Sequence, residues 1–272
     1  MVLLKDITLG QYFPGNTIVH RLDPRMKLLL TLLFITALFL ASGIFAYALM
    51  LLVLLTCISL SKIKPKAVLR GLRPILFIIL LTMVLNTFFV RGETVLVEFF
   101  GIAITLEGLL TAFFMASRLM MLIIGTFLLT YTTSPIALTD GLESILNPLK
   151  RIKLPIHELA MMMSIALRFI PTLIEETDKI MSAQKARGAD FETGGLIKRA
   201  KALLPLIIPL FISAIRRADE LATAMESRCY HGGEGRTKMK VLKTASRDWI
   251  SLLCGSIVVA AVVALGRLNS VF

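Results

Sequence analysis

The chain has 272 residues, 56% of them hydrophobic, and a mean hydropathy of +0.81, which excludes a soluble domain with a charged surface and points to the membrane class. Its formal charge of +12 bears first on orientation, because Lys and Arg in short loops decide which side of a bilayer each loop occupies. Nucleic acid is not an expected partner, since no basic stripe is interleaved with aromatics. Cys57, Cys229 and Cys254 are far apart and form no CxxC pair, so they read as packing residues rather than metal or redox groups. No charged start, apolar run and small-residue cleavage site follow one another at the N-terminus, so no removable signal peptide is expected.

Residues 1–25 are mixed, with a turn at Pro14-Gly15-Asn16. Asp23-Pro24 has the form of a helix start, Asp at the N-cap and Pro at the first helical position. The first span then covers about 26–41. Ala41-Ser42-Gly43 interrupts the apolar pattern, and about 44–60 form a second span. No charge occurs from 28 to 61, so a tight hairpin of two short spans fits better than one long helix. Ser61 to Arg73 is a basic connector with Lys62, Lys64, Lys66, Arg70 and Arg73 and no acid. A third span covers about 74–90. Residues 94–106 alternate around Val95, Val97, Ile102 and Ile104 and suit a short β-hairpin turning near Gly101. The wider stretch from Arg91 to Gly108 is acidic, with Glu93, Glu98 and Glu107. A fourth span, about 109–131, contains Arg118, which must face protein or water.

Residues 132–248 carry 18 Lys and Arg against 13 Asp and Glu, and 249–272 hold a final span opened by Trp249. The chain therefore divides into a membrane domain over 1–131, a charged helical domain over 132–248 and the last span. An N-terminus on the cytoplasmic side satisfies the positive-inside pattern at every short loop. Five spans then leave 132–248 in the cytoplasm, the hairpin outside and the C-terminus outside. The fold class is an all-α integral membrane protein.

Within 132–248 three helices are expected, about 134–146, 157–187 and 196–229. The second has apolar positions at three- and four-residue spacing over seven to eight turns, with Glu175, Glu176, Asp178, Lys179 and Lys185 on its other face. Pro171 should bend it. The third holds a dense apolar stretch, Leu203 to Ile215, broken by Pro205 and Pro209. That stretch reads as an amphipathic boundary helix rather than a sixth span. Arg216-Arg217 and Asp219-Glu220 beyond it read as a solvated or partner-facing end.

Both long helices end in a short triplet centred on Arg: Ala186-Arg187-Gly188 and Ser227-Arg228-Cys229, with the two Arg 41 residues apart. One such Arg is accounted for by a helix dipole, which favours a cation at the C-terminus. A repeated pair asks for more. Small neighbours leave each guanidinium free to enter a pocket, and its planar fork suits a carboxylate on a protein partner.

At these residues the sequence resembles the transmembrane T component of energy-coupling factor (ECF) importers, the family that includes the cobalt-transport membrane component. The resemblance rests on Leu22-Asp23-Pro24-Arg25-Met26-Lys27-Leu28, on Thr133-Ser134-Pro135 with Leu138 to Glu143, and on Leu167 to Leu173. It continues through Ala183 to Gly188 and Arg217 to Tyr230, in family order. The resemblance implies two long coupling helices that cross in the cytoplasm. It also implies that Arg187 and Arg228 each dock into a groove on one of two ATP-binding cassette ATPases. A small substrate-binding membrane subunit, the S component, would complete the complex, and the cargo would be a vitamin or a transition-metal ion. The second triplet departs from the family's Ala-Arg-Gly, with Ser227 and Cys229 in place of the small apolar residue and the glycine.

The chain has no Gly-x-x-x-x-Gly-Lys-Ser/Thr run, so it should bind no ATP itself and depend on partners for energy. No cofactor, metal or catalytic residue is expected, because His20, His157 and His231 lie apart and show no ligand spacing. His231-Gly232-Gly233 reads as a loop. The competing reading is a stand-alone secondary transporter, a class often built from paired repeats with ionisable groups at mid-membrane. Here there is no repeat, and Arg118 is the one obvious ionisable group inside a span.

Overall fold

The computed structural model describes residues 12–90, 92, 94–99, 102–191, 195–232 and 242–269. In chain order the elements are α1 (Pro24–Leu40), α2 (Ile44–Ser61), α3 (Pro65–Leu72), α4 (Leu76–Phe89), β1 (Val95–Phe99), β2 (Ile102–Thr105), α5 (Leu106–Thr132), α6 (Pro135–Leu146), a 3-10 turn (Asn147–Ile152), α7 (Ile156–Ala186), α8 (Leu196–Glu226) and α9 (Ser246–Asn269). They form two units. One takes the described residues up to Leu142 and from Leu242 onward; the other takes those between Glu143 and Val241.

The first unit is a helix bundle. Asp23 caps α1, its carboxylate accepting from the Arg25 backbone N–H at 2.9 Å, with Pro24 at the first helical position. Gly43, at φ 80, opens α2 after the Ala41-Ser42-Gly43 break, a conformation that favours glycine. Leu38, Met50 and Val262 are fully buried where α1, α2 and α9 meet, with Ala37, Ala46, Tyr47 and Met121 of α5 around them. Glycines let α1 approach closely on two sides. A Cβ at Gly255 of α9 would meet Leu30 at 2.7 Å, and one at Gly125 of α5 would meet Phe34 at 2.6 Å.

The outer surface of the bundle is apolar. Phe45, Phe77 and Phe89 are 68%, 71% and 78% exposed, in company with Leu32, Leu55, Phe113 and Leu253. Water would not tolerate so much contiguous apolar surface; hydrocarbon solvates it. Among the described residues α2, α5, α7 and α9 are long and apolar enough to cross a bilayer, and α3 with α4 makes a fifth if that bent pair is one span. The chain is therefore a multi-pass membrane protein. At 17 residues α1 is at the short end of a spanning helix. The third apolar run begins as a helix at Leu76, because the basic connector before it is itself helical. Pro74, which has no N–H to donate, sits at the break, and the two axes differ by 61°. Between α4 and α5 the strands β1 and β2 pair antiparallel, with Glu98 opposite Ala103; the turn expected near Gly101 lies outside the described residues.

Arg118 of α5 is paired with protein. Its guanidinium donates to the Ala41 carbonyl at 3.2 Å, where α1 ends, and lies over the rings of Phe39 and Tyr47 at 6.0 and 5.7 Å. That arrangement offsets the cost of a cation in a span with an orphan carbonyl and two π faces. It ties α5 to the break between α1 and α2.

A polar junction closes one end of the same unit. Lys27 is 6% exposed and donates to the Thr132 carbonyl at 2.8 Å, the His20 carbonyl at 3.1 Å and the Thr133 hydroxyl at 3.2 Å. It thereby caps the C-terminus of α5. Asp248, 1% exposed, sits in the first turn of α9 and accepts from the Ala245 N–H at 2.7 Å and the Asp23 N–H at 3.0 Å. Phe13 donates its N–H to the Tyr131 carbonyl at 3.0 Å and sets its ring edge-on to that tyrosine.

Candidate docking site on the two long helices

The second unit is built on α7 and α8, each 31 residues long and so roughly 45 Å from end to end. Both run unbroken through their internal prolines, Pro171 in α7 and Pro205 and Pro209 in α8. At the start of α7, His157 Nδ1 lies 3.1 Å from Glu143 Oε1 of α6, which fixes the turn through the 3-10 segment. Ile156 is buried, whereas Leu159, Met162 and Met163 are each more than half exposed. In α8, Leu206 is buried while Ile207, Ile208, Phe211 and Ile212 are more than half exposed. Among the described residues of the unit, nothing covers these two apolar faces.

The helices are joined near Glu176. Its carboxylate accepts from the Ser213 hydroxyl at 2.5 Å and from the Arg217 guanidinium at 2.9 Å. Both charged side chains are partly shielded, so the pair is worth about 1 kcal/mol. Arg217 is thus engaged inside the chain rather than turned to solvent, and Glu176 leaves the solvated face that periodicity assigned to it. The sequence positions have a symmetry. Glu176 precedes Arg187 by 11 residues, and Arg217 precedes Arg228 by 11 residues. The meeting point lies roughly 16 Å along each helix from its terminal arginine.

The two triplets end their helices in the same way. At α7 the Gly188 N–H donates to the Lys185 carbonyl at 3.0 Å and the Ala189 N–H to the Gln184 carbonyl at 3.0 Å. At α8 the Cys229 N–H donates to the Glu226 carbonyl at 2.9 Å and the Tyr230 N–H to the Met225 carbonyl at 3.1 Å. Both are Schellman caps, whose turning residue is left-handed: Gly188 at φ 87 and Cys229 at φ 57. The cap at α8 forms without glycine. Each Arg stands at the residue before the turn, the same place in both caps.

Ala186, Arg187, Gly188, Ser227, Arg228 and Cys229 are all exposed. Neither Arg187 nor Arg228 makes a side-chain hydrogen bond or ion pair among the described residues. Cys229 is therefore a turn residue on the surface, not a packing residue, and Cys254 is likewise exposed. The geometry offers two free guanidinium forks, each at the negative end of a helix dipole and flanked by small side chains. That is equipment for binding carboxylates on a partner. Among the described residues no cluster of His, Cys, Asp and Glu has the arrangement of a metal site. His20 bonds Thr17 and the Phe13 carbonyl, and His157 bonds Glu143. Gly233 lies outside the described residues. The joining of Glu176 with Ser213 and Arg217 escaped sequence reasoning, although its 41-residue offset from Glu176 to Arg217 repeats that from Arg187 to Arg228.

Comparison with known proteins places these features in a family. Residues 15–239 match the family model for CbiQ, the cobalt transport protein. A protein from Thermosediminibacter oceani, named energy-coupling factor transporter transmembrane protein EcfT, is 54% identical over 269 residues, 99% of each chain. Proteins of the same name from Lactococcus lactis subsp. cremoris and Bacillus subtilis are each 47% identical. The match covers 96% of this chain and 98% of the Lactococcus protein, and 95% of this chain and 97% of the Bacillus protein.

Proposed function

Because the chain belongs to the CbiQ family of cobalt transport proteins, as the transmembrane T component of an energy-coupling factor transporter, we propose that α7 and α8 couple two ATP-binding cassette ATPases to a substrate-binding membrane subunit. Arg187 and Arg228 are the docking points, one for each ATPase. The uncovered apolar faces of α7 and α8 meet the S component or lipid. ATP hydrolysis by the partners moves the docking tips, and the junction at Glu176 carries that movement along both helices. The cargo is a vitamin or a transition-metal ion, chosen by the S component.

The spans in this reading are α1, α2, the α3–α4 pair, α5 and α9, because α1 packs inside the bundle between α9, α5 and α2. The second unit, over about 132–248, then lies in the cytoplasm. The N-terminus is cytoplasmic and the C-terminus is outside, which puts the basic connector inside and the acidic hairpin segment outside. α7 is apolar enough to span, yet its C-terminal half carries Glu175, Glu176, Asp178, Lys179 and Lys185. Burying those in lipid would cost several kcal/mol.

One observation carries the docking role: two exposed, unpaired arginines at the same position of two matching helix caps. The test is Arg187→Glu with Arg228→Glu. Membrane insertion should stay at the wild-type level, while co-purification of the ATPases and substrate uptake by the complex fall at least tenfold, as for loss of two interface anchors. Undiminished ATPase association in the double variant would overturn the assignment.

A further inference from the structure

The segment joining α2 to α4 presents five cations and no acid. Lys62, Lys64, Lys66, Arg70 and Arg73 are all exposed, and none makes a side-chain hydrogen bond or ion pair among the described residues. The opposite face is clamped to the bundle. Ile63, Val68 and Leu72 are buried, and Ile63 and Val68 pack with Tyr131 of α5. A Cβ at Gly71 would meet the Phe127 ring at 2.6 Å and the Tyr131 hydroxyl at 2.9 Å, so α3 rides directly on α5. At 3.6 residues per turn Lys66, Arg70 and Arg73 fall within about 60° of one another. Leu69, 66% exposed, stands at the border of that face. Beyond the 61° bend, Leu76 and Phe77 of α4 are 54% and 71% exposed. When α4 stands along the bilayer normal, α3 lies about 30° from the bilayer plane.

Orientation by positive charge requires cations in the loop and nothing about their arrangement. Here Lys66, Arg70 and Arg73 are gathered on one side of a helix whose other side is fixed, with Lys62 and Lys64 just before it and the apolar Leu69 at the border of that face. We propose that this face of α3 binds acidic phospholipid headgroups. The ammonium and guanidinium groups engage headgroup phosphates, while Leu69, Leu76 and Phe77 enter the acyl boundary beneath them. The proposal rests on the chain being a membrane protein and is independent of how α7 and α8 are used.

The test takes the full-length protein in mild detergent, offers it equimolar phosphatidylglycerol and phosphatidylcholine, and quantifies the retained lipids by mass spectrometry. The wild-type chain should retain phosphatidylglycerol in preference by about threefold or more, and the preference should shrink as salt is raised. Replacing Lys62, Lys64, Lys66, Arg70 and Arg73 by Gln should bring retention close to parity. A variant with each Lys changed to Arg and each Arg to Lys should keep the preference. If the fivefold variant fails to insert, Lys66→Gln with Arg70→Gln should still lower the preference measurably. Equal retention by the wild-type chain, or a preference unchanged by neutralisation, overturns the proposal. So does loss of co-purifying protein subunits from the neutralised chain with lipid preference intact, which assigns the face to an acidic protein partner.

Discussion

Cys229 holds a left-handed backbone conformation that costs a residue with a side chain roughly 1 kcal/mol relative to glycine. Its counterpart Gly188 has no neighbour within 4 Å of where a Cβ would stand, so a substitution there meets only the backbone penalty. Cys229→Gly should therefore stabilise the protein by about 1 kcal/mol and Gly188→Ala destabilise it by about as much, read as opposite shifts in thermal unfolding of the purified chain. Equal melting of Gly188→Ala and wild type would contradict the cap. The departure from glycine at 229 was visible in the sequence, but its consequence was not. A cap depends on which carbonyls the following N–H groups reach, and letters do not display that.

His20 offers a residue-scale test of another kind. Its Nε2–H donates to the Phe13 carbonyl at 3.0 Å while Nδ1 lies 2.6 Å from the Thr17 hydroxyl. Burial lowers its pKa below the usual 6.5; the Phe13 bond opposes that and the nearby Lys27 charge adds to it. A depressed histidine favours the folded state above its unfolded pKa and loses that contribution as pH falls through its folded pKa. The His20 ring, followed by NMR in the labelled protein, should titrate below 6.5, and the segment should loosen only under acid. Titration at or above 6.5 contradicts this packing.

At the scale of elements, the junction of α7 with α8 is the least legible part of the candidate site. Periodicity separates the apolar stem of each helix from its charged face. It does not say which charge crosses to the other helix, because that pairing spans 41 residues and depends on packing. Glu176 and Arg217 should show a coupling of about 1 kcal/mol in a double-mutant cycle with Glu176→Gln and Arg217→Gln, scored by thermal unfolding. Exchanging the two residues, Glu176→Arg with Arg217→Glu, should recover part of the uptake that either single exchange loses. Strict additivity would show that the two side chains do not act together. The bend before α4 was hidden for a related reason. A basic run reads as loop by composition, yet Pro65 starts a helix there because Val68 and Gly71 find a floor on α5.

For the whole molecule, the spans were legible because runs of roughly 16 to 23 mostly apolar residues, repeated along one chain, have no good solution in water. The polar junction that closes the bundle was only half legible. Asp23-Pro24 announces a helix start, but nothing local shows that Lys27 will be used to cap α5, over a hundred residues away, or that Asp248 will receive the Asp23 N–H. Lys27→Met should cost about 3 kcal/mol, since it leaves the Thr132 and His20 carbonyls buried without their donor. The purified variant should unfold at a visibly lower temperature, whatever happens to α7 and α8. A melting point like that of wild type would show that water or lipid headgroups replace the ammonium freely.

The equal spacing from Glu176 to Arg187 and from Arg217 to Arg228 makes the pair of helices resemble scissors with the rivet set evenly from both tips. If the two triplets dock as proposed, blades of equal length share an applied displacement equally, and neither docked partner has a mechanical advantage over the other. Moving the rivet by one helical turn on a single blade would leave every contact type intact and yet give the two proposed docking tips unequal strokes. The symmetry is written as a count of residues between two pairs of side chains, on helices whose sequences are otherwise unlike.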